Sequence, residues 1–470
     1  LEDLGMNNNT AGSKNIRALL SAIRNMSTDA DSINGQEKNE DRLKGEGLLL
    51  GKRDYDILQI AIDALNQGYM CDRCLGRLFA KLLHGLSNEQ RGKIVRDALA
   101  LVIESGCEPD LYNGNFQSII MESTSACTFC LDIFKELIPS LTLEAMAKSR
   151  SYEFTSFLVG TRLNSELFKK DIQLNQISPD YSESIKEEVN RTIGKRIELV
   201  YQKQVEHKEP DLFFLADLQK NIVSVESKNV YIYGGYKKLA RGIPQTTWNC
   251  KVCNGRGCKK CKWTGRFYRT SVQHIIEKPI LDQLSSAQSS FHGAGREDVD
   301  VRCLDYRQFI IEIFNPKKRT VDLERLYREI NKSKSVQVSK LKLASKGDIA
   351  SLKEERCDKT YHAVATFVKD VGESDLLKVF SLKGTLIRQK TPLRVVNRRA
   401  DIVRERKIRD IEAKKLSARK VDLLIECEAG TYVKELISGD KGRTRPSISE
   451  VLDNDVKKIV LDVVKIGGGI

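Results

Sequence analysis

Apolar residues recur at helical spacing between Tyr55 and Leu65 (Ile57, Leu58, Ala61, Ile62, Leu65), and Gly68 ends the run. A second helix is predicted to open at Ser87, where Gln90 three residues on completes a capping-box pattern. It carries Ile94, Val95, Ala98, Leu99 and Val102 before Gly106. From about residue 151 the period shortens: Phe154–Val159, Leu212–Leu215, Ile222–Val225 and Val230–Tyr233 read as strands around a charged helix near Ser182–Arg196, an α+β pattern. Farther on, Phe309–Ile313, Ala363–Phe367, Val421–Cys427 and Ile459–Val464 read as strands, separated by helices such as Asp322–Ile330. Residues 1–46, rich in Asn, Ser, Asp, Lys and Gly, offer too little apolar surface to offset the entropy of ordering and read as an unstructured tail. The 470-residue chain is long enough for two or three domains, each with its own core, and after the tail it is divided here as residues 47–265 and 266–470.

The cysteines add chemistry to this outline. Cys71-Asp-Arg-Cys74 and Cys127-Thr-Phe-Cys130 are two tight turns separated by a helical excursion, each able to give two thiolates to one tetrahedral zinc. Cys250, Cys253, Cys258 and Cys261 crowd a second set of four into twelve residues, with Gly255 and Gly257 to turn the chain. Four thiolates leave no open ligand position, so zinc at either cluster is expected to be structural. The first half of the second cluster also matches the Cys-x-x-Cys-x-Gly-x-Gly repeat of DnaJ-type chaperones. Those proteins carry several such repeats and a His-Pro-Asp hairpin, which this chain lacks.

With 78 Lys and Arg against 64 Asp and Glu, the formal charge of +14 points to a polyanionic partner, since clustered cations release counterions from a phosphate backbone. Two stretches concentrate it. Lys237, Lys238 and Arg241 lie beside Tyr231, Tyr233 and Tyr236, a mixture that suits either phosphate neutralisation with base stacking or a solvated edge strand. Residues 388–420 hold Arg394, Arg398, Arg399, Arg404 and Arg406 among others, which reads as a solvated helix or arm, or as a phosphate grip. With 40% hydrophobic and 30% charged residues the composition is that of a soluble globular protein, and no apolar run of membrane-spanning length appears. No signal-peptide pattern is visible, and a cytoplasmic location is expected, with the nucleus as well in a eukaryotic host.

The stretch around which the second half is organised reads FHGAGREDVDVRCLDYRQFIIEI, Phe291 to Ile313. Asp298 follows a Gly-x-Gly turn, stands between Arg296 and Arg302, and precedes an apolar strand. The flanking guanidiniums are expected to keep it ionised or to grip phosphate, although a Gly-rich acidic surface turn has the same composition.

The Ala294-Gly295-Arg296-Glu297-Asp298 segment resembles the Gly-Arg-x-Asp loop of pseudouridine synthases, and the AGREDVDVR context is closer still to the THUMP-bearing tRNA pseudouridine synthases of archaea and eukaryotes. The resemblance spans roughly residues 50–470. It implies an RNA-binding accessory half containing zinc and THUMP modules, and a catalytic half with a mixed, largely antiparallel sheet. It implies isomerisation of uridine to pseudouridine at positions 54 and/or 55 of the TΨC arm, with Asp298 as nucleophile and no catalytic cofactor. Tyr231–Trp248 resembles the segment that closes the THUMP domain, which would place Lys237, Lys238 and Arg241 on RNA. In the same way Lys434 of Gly430-Thr-Tyr432-Val-Lys434 would pair with Asp298, Tyr432 and Tyr361 would line the uridine pocket, and Leu461 would be the pocket leucine. The segment Arg398-Arg399-Ala400-Asp401-Ile402-Val403-Arg404-Glu405-Arg406-Lys407 resembles the thumb loop that reaches over tRNA, and Arg296 would join it on phosphate. The family's Gly-x-Gly-Arg-Pro-Phe turn is replaced by Asp305-Tyr306-Arg307-Gln308-Phe309, which keeps only Arg307 and Phe309. No obligate protein partner is implied, and a monomer is expected. The contrasting possibility is a zinc-stabilised RNA-binding or chaperone-like protein without chemistry.

Overall fold

The computed structural model describes residues 52–104 and 125–467, and the tail expected over residues 1–46 lies outside them. The chain forms two compact units that meet in sequence between Glu226 and Ser227. The division expected at 265/266 therefore falls inside the second unit. The reason is the strand Val230–Lys238, whose backbone pairs with Arg302–Phe314 rather than with the strands before it.

In the first unit the helical stripe of Lys52–Leu65 buries Ala61, Ile62, Ala64 and Leu65. The helix Asn88–Glu104 starts where its cap requires: Gln90 N–H donates to Ser87 Oγ at 3.2 Å and Ser87 N–H to Gln90 Oε1 at 2.9 Å. Strands β1 (Ser156–Arg162), β2 (Gln204–Val205), β3 (Leu212–Asp217) and β4 (Ile222–Ser227) form a sheet in the order β2-β1-β3-β4. β1 runs parallel to both neighbours, an arrangement that needs long crossovers. The helices Ser165–Ile177 and Ile185–Tyr201 supply them, the latter closed by a Ser184–Glu187 capping box.

The second unit is an eleven-stranded sheet: β5 (Val230–Lys238), β6 (Gln288–Gly293), β7 (Arg302–Phe314), β8 (Val336–Val338), β9 (Lys342–Ala344), β10 (Lys359–Phe367), β11 (Leu386–Lys390), β12 (Val403–Ser417), β13 (Lys420–Cys427), β14 (Thr444–Arg445) and β15 (Val456–Ile466). Its path is β14-β11-β12-β13-β10-β15-β7-β5-β8, with β6 on β7 and β9 on β5. Every pair is antiparallel except β15 with β7, so the expected mixed, largely antiparallel sheet is found. The parallel contact is brief, Asp462 to Arg302 and Val463 to Cys303, and it joins two halves with separate cores. One half packs the helix Val272–Leu284 on Phe309, Ile311 and Ile313, and the other packs the helix Glu373–Phe380 among Ala363, Ile411 and Leu423.

Two readings of the sequence change here. The basic block is not a helix or an arm: from Val403 to Ser417 it is β12, which buries Ile408 and Ile411 and turns its charges outward. Bulges beside Ile408 and Lys415 break its alternation, which hides the strand in the sequence. The Asp305–Phe309 segment, where a turn is the family pattern, is continuous strand within β7.

Candidate active site

The loop 294–301 leaves β6 and re-enters as β7 at the seam where β7 meets β15. Gly295, at φ +87°, makes the turn, and a Cβ there would sit 2.9 Å from an Arg307 guanidinium nitrogen. Most of the loop's backbone has no strand partner, so side chains from elsewhere satisfy it. Arg307 Nη1 donates to Ala294 O at 2.9 Å, and Gln245 Nε2 to Gly295 O at 2.9 Å. Lys238 Nζ donates to the carbonyls of Asp298 (2.9 Å) and Val299 (3.0 Å), and Arg241 Nη1 to that of Asp300 (2.8 Å). Beneath the loop, Glu297 is buried, with Arg307 Nε 3.0 Å away and both its oxygens accepting from Tyr236 Oη at 2.9 and 3.0 Å. Burial, and then the Glu297 charge, pushes the Tyr236 phenol well above its ordinary value, so it remains a donor.

Asp298 lies above this base with its side chain about one-third exposed (35%). Arg394 Nη1 donates to its Oδ1 at 2.9 Å, and Lys434 Nζ lies 3.3 Å from its Oδ2. The expected Lys434 pairing is therefore present, but the sequence neighbours are elsewhere. Arg302 holds Asp462 at 2.7 and 3.1 Å, and Arg296 lies over the Trp248 ring at 5.6 Å. Lys434 also donates to both oxygens of Asp300 at 2.7 and 2.8 Å. Partial burial pushes the Asp300 carboxyl up, yet the Lys434 hydrogen bond outweighs it and holds the group below its usual range.

The Gly430–Leu436 motif is held by a residue the sequence did not flag. Gln389, 1% exposed, donates to Tyr432 O at 3.0 Å and accepts from Tyr432 N–H at 2.9 Å, fixing the start of the helix Val433–Ser438 that carries Lys434. Arg399 Nη1 donates to Tyr432 Oη at 3.0 Å. Arg394 was likewise missed, as one charge among many. It bridges Asp298 to buried Glu435, whose Oε1 accepts from its Nε at 2.7 Å. Burial pulls the Arg394 guanidinium down, but the bonds to Glu435 and Asp298 leave it above its ordinary value.

Tyr361 pairs in register with Val463, and Ala363 with Leu461, so Tyr361 and Leu461 share one face of the sheet. Burial raises the Tyr361 phenol, and it feels the charges of Arg307 and Glu297. Leu461 is a core residue, 6% exposed, whose carbonyl accepts from Arg241 at 2.7 Å.

Two cations expected on RNA are engaged otherwise. Lys238 is completely buried under the loop, and Arg241 is tied to Asp462 at 2.6 Å as well as to two carbonyls. Tyr236, expected as a stacking face, is also completely buried. The resemblance puts this stretch at the close of the THUMP domain, whereas β5 is an inner strand of the second sheet. Lys237 lies 4.4 Å from the Tyr306 ring centre. Arg404 donates to Thr391 Oγ1 at 3.2 Å, and the Arg406 guanidinium lies against Gly430. The side chain of Arg398 lies outside the described residues.

Both cysteine clusters bring their four sulfurs within 4.8 Å of one another. Thiolates about 2.3 Å from a tetrahedral zinc stand roughly 3.8 Å apart. Cys71 and Cys130 are at 3.7 Å, and Cys253–Cys261 and Cys258–Cys261 at 3.8 and 3.7 Å, so both sets fit the ion and could hold structural zinc. The first is built into the unit's core, where Cys74, Cys127 and Cys130 are buried. The second stands on its own turns. Desolvation raises the Cys261 thiol, but N–H bonds from Cys258 and Gly265 bring it down to about 6, which favours a thiolate ligand.

Residues 231–467 match the family described as "Pus10, C-terminal", and residues 142–217 match "Pus10 THUMP domain, archaeal". The chain belongs to the Pus10 family. "tRNA pseudouridine synthase Pus10" of Methanothrix thermoacetophila is 36% identical over 88% of this chain and 95% of its own length. The Pus10 protein of Methanothermobacter marburgensis is 38% identical over 87% and 97%. Among solved structures, one described as "Crystal Structure of a Cbf5-Nop10-Gar1 Complex" overlaps 49% of this chain and 48% of its own at 16% identity, with a TM-score of 0.25. The Pus10 C-terminal match begins inside β5 and includes the second cysteine cluster, in line with the division at Glu226/Ser227. Among the described residues no helix is long and apolar enough to cross a membrane.

Proposed function

We propose that this chain isomerises uridine to pseudouridine in the TΨC arm of tRNA, at position 54, 55 or both, with Asp298 as the nucleophile. That it is an RNA pseudouridine synthase follows from its membership of the Pus10 family. The observation that carries the finer reading is a partly exposed carboxylate at a loop tip, flanked by Arg394 and Lys434 and immobilised from below. Attack on an electrophilic carbon of the nucleotide calls for a carboxylate, and the two cations hold this one at both of its oxygens. In this reading the target uridine leaves its stack, and Tyr361, Tyr432 and Leu461 line its pocket. Asp298 engages it covalently while the N1–C1′ bond breaks; the base rotates and C5 bonds to C1′, the bond to Asp298 is released, and the proton lost from C5 is balanced by one gained at N1. Zinc in the cysteine clusters would cross-link the chain, and the reaction uses no added cofactor. Arg296, Arg399, Arg404 and Arg406 supply phosphate contacts around the site.

Conversion of an unmodified tRNA transcript without added cofactor tests this reading. Asp298→Ala is expected to abolish conversion and retain tRNA binding, and undiminished conversion would sink the assignment. Because Lys434 is closer to Asp300 than to Asp298, Asp300→Ala belongs in the same assay: its loss of activity alongside an active Asp298→Ala would move the nucleophile two residues on.

A further inference from the structure

Tyr236 and Gln245 are far from Asp298 in sequence and do not touch it, yet they complete a buried lattice under the loop that carries it. Gln245 Nε2 has two hydrogens, and both are used: one goes to Tyr236 Oη at 2.8 Å and the other to Gly295 O at 2.9 Å. Tyr236 accepts from Gln245 and spends its single proton on the Glu297 carboxylate. Arg307 closes the lattice as the counter-ion of Glu297 and as donor to Ala294 O. Tyr236, Gln245, Glu297 and Arg307 are each 6% exposed or less, so water cannot substitute for a missing member. The loop is thereby gripped at residues 294, 295 and 297, immediately before Asp298. The grip reads as more than packing: the Tyr236 hydroxyl and both Gln245 Nε2 hydrogens find acceptors, and Arg307 Nε, which makes no hydrogen bond, faces the Glu297 carboxylate as an ion pair at 3.0 Å, so the loop is tied down by directional contacts from several elements.

Resting on the reading of Asp298 as nucleophile, we infer that Tyr236 and Gln245 are positioning residues for the isomerisation: they hold Glu297, and through it the Asp298 backbone, at the attack position. Misplacing a reacting group by about 1 Å costs on the order of 10²-fold in rate. The lattice is therefore expected to act on the chemical step and leave tRNA affinity alone.

The test is a single-turnover assay with saturating enzyme in excess of tRNA, on wild type, Tyr236→Phe, Gln245→Leu and Asp298→Ala. Tyr236→Phe removes one oxygen and leaves the Glu297–Arg307 pair in place, and Gln245→Leu reaches the lattice from its other end. Both are expected to slow the first-order rate about 10- to 100-fold with tRNA Kd within twofold of wild type. Mere destabilisation would shrink the active fraction and leave that rate constant unchanged, because enzyme remains in excess. A rate within twofold of wild type for both variants, or a loss expressed wholly in Kd, overturns the inference. If in that case Asp298→Ala is inactive, the nucleophile reading still stands; if Asp298→Ala is itself active, that reading has failed.

Discussion

Two basic stretches look alike in one dimension and do different work in three. Lys237, Lys238 and Arg241 follow tyrosines, and Arg394 to Arg406 form a denser run; both suggest phosphate. In the structure the first lies in β5, flanked by β7 and β8, and just beyond its end, and two of its three cations are consumed by loop carbonyls and Asp462. The second lies in the connection between β11 and β12 and in the first part of β12, where Arg394 reaches Asp298 and Arg399 reaches Tyr432. What separates them is demand for donors. The 298–300 carbonyls lie beside β5 without a strand to pair with: Val301 and Gly242 N–H groups reach Asp298 and Val299, and Lys238 and Arg241 supply the remaining donors.

Arg394→Ala should test this contrast most severely. It removes a partner of Asp298 and leaves Glu435 buried without its cation, and a loss of about 10²-fold in single-turnover rate is expected, with tRNA affinity nearly unchanged. An unaffected rate would return Arg394 to the surface cations. Next in size, Lys238→Met removes a buried donor shared by the Asp298 and Val299 carbonyls, which keep the Val301 and Gly242 N–H groups, and should cost about 1 kcal/mol in urea unfolding without weakening tRNA binding. Weaker binding at undiminished stability would restore the phosphate role for β5.

Acid should produce a smaller effect through Asp462. Burial pushes its carboxyl up, but Arg302 and Arg241 more than offset this and hold it below the ordinary value. Its contribution is thus fully present above the unfolded value, about pH 3.9, and is lost as pH falls through the lower folded value. The stability gap between wild type and Arg241→Met should shrink below about pH 4 in thermal melts; a gap independent of pH there would mean the pair contributes nothing. Smallest of all, Lys237→Ala removes only a contact over Tyr306 and should change stability by less than about 1 kcal/mol. A larger loss would put Lys237 with Lys238 as a structural cation.

Much of this was legible beforehand where the determinant is local. The Ser87–Gln90 cap, the helix after Asp322, the paired cysteines and the Gly295 turn each depend on contacts within a few residues. Lys434 was placed by its motif. Arg394 was not, because nothing around it differs from the neighbouring arginines. Gln389 and Gln245 gave no signal either, and Tyr236 suggested a stacking face instead, since a buried amide or phenol is recognised only by what it bonds.

From the amino-acid order alone came part of the strands and helices, β12 not among them, and with them the thiolate clusters and the carboxylate at the loop. Torsional preference, capping and the two hydrophobic periods act over one or two turns of chain. Folding decided which cations meet Asp298, that Lys238 is hidden, and that β5 joins the second unit. Those depend on strand register, which brings Arg394 to a residue 96 positions away while the adjacent Arg296 and Arg302 turn to other partners. A charge in a sequence has no direction until a sheet supplies one.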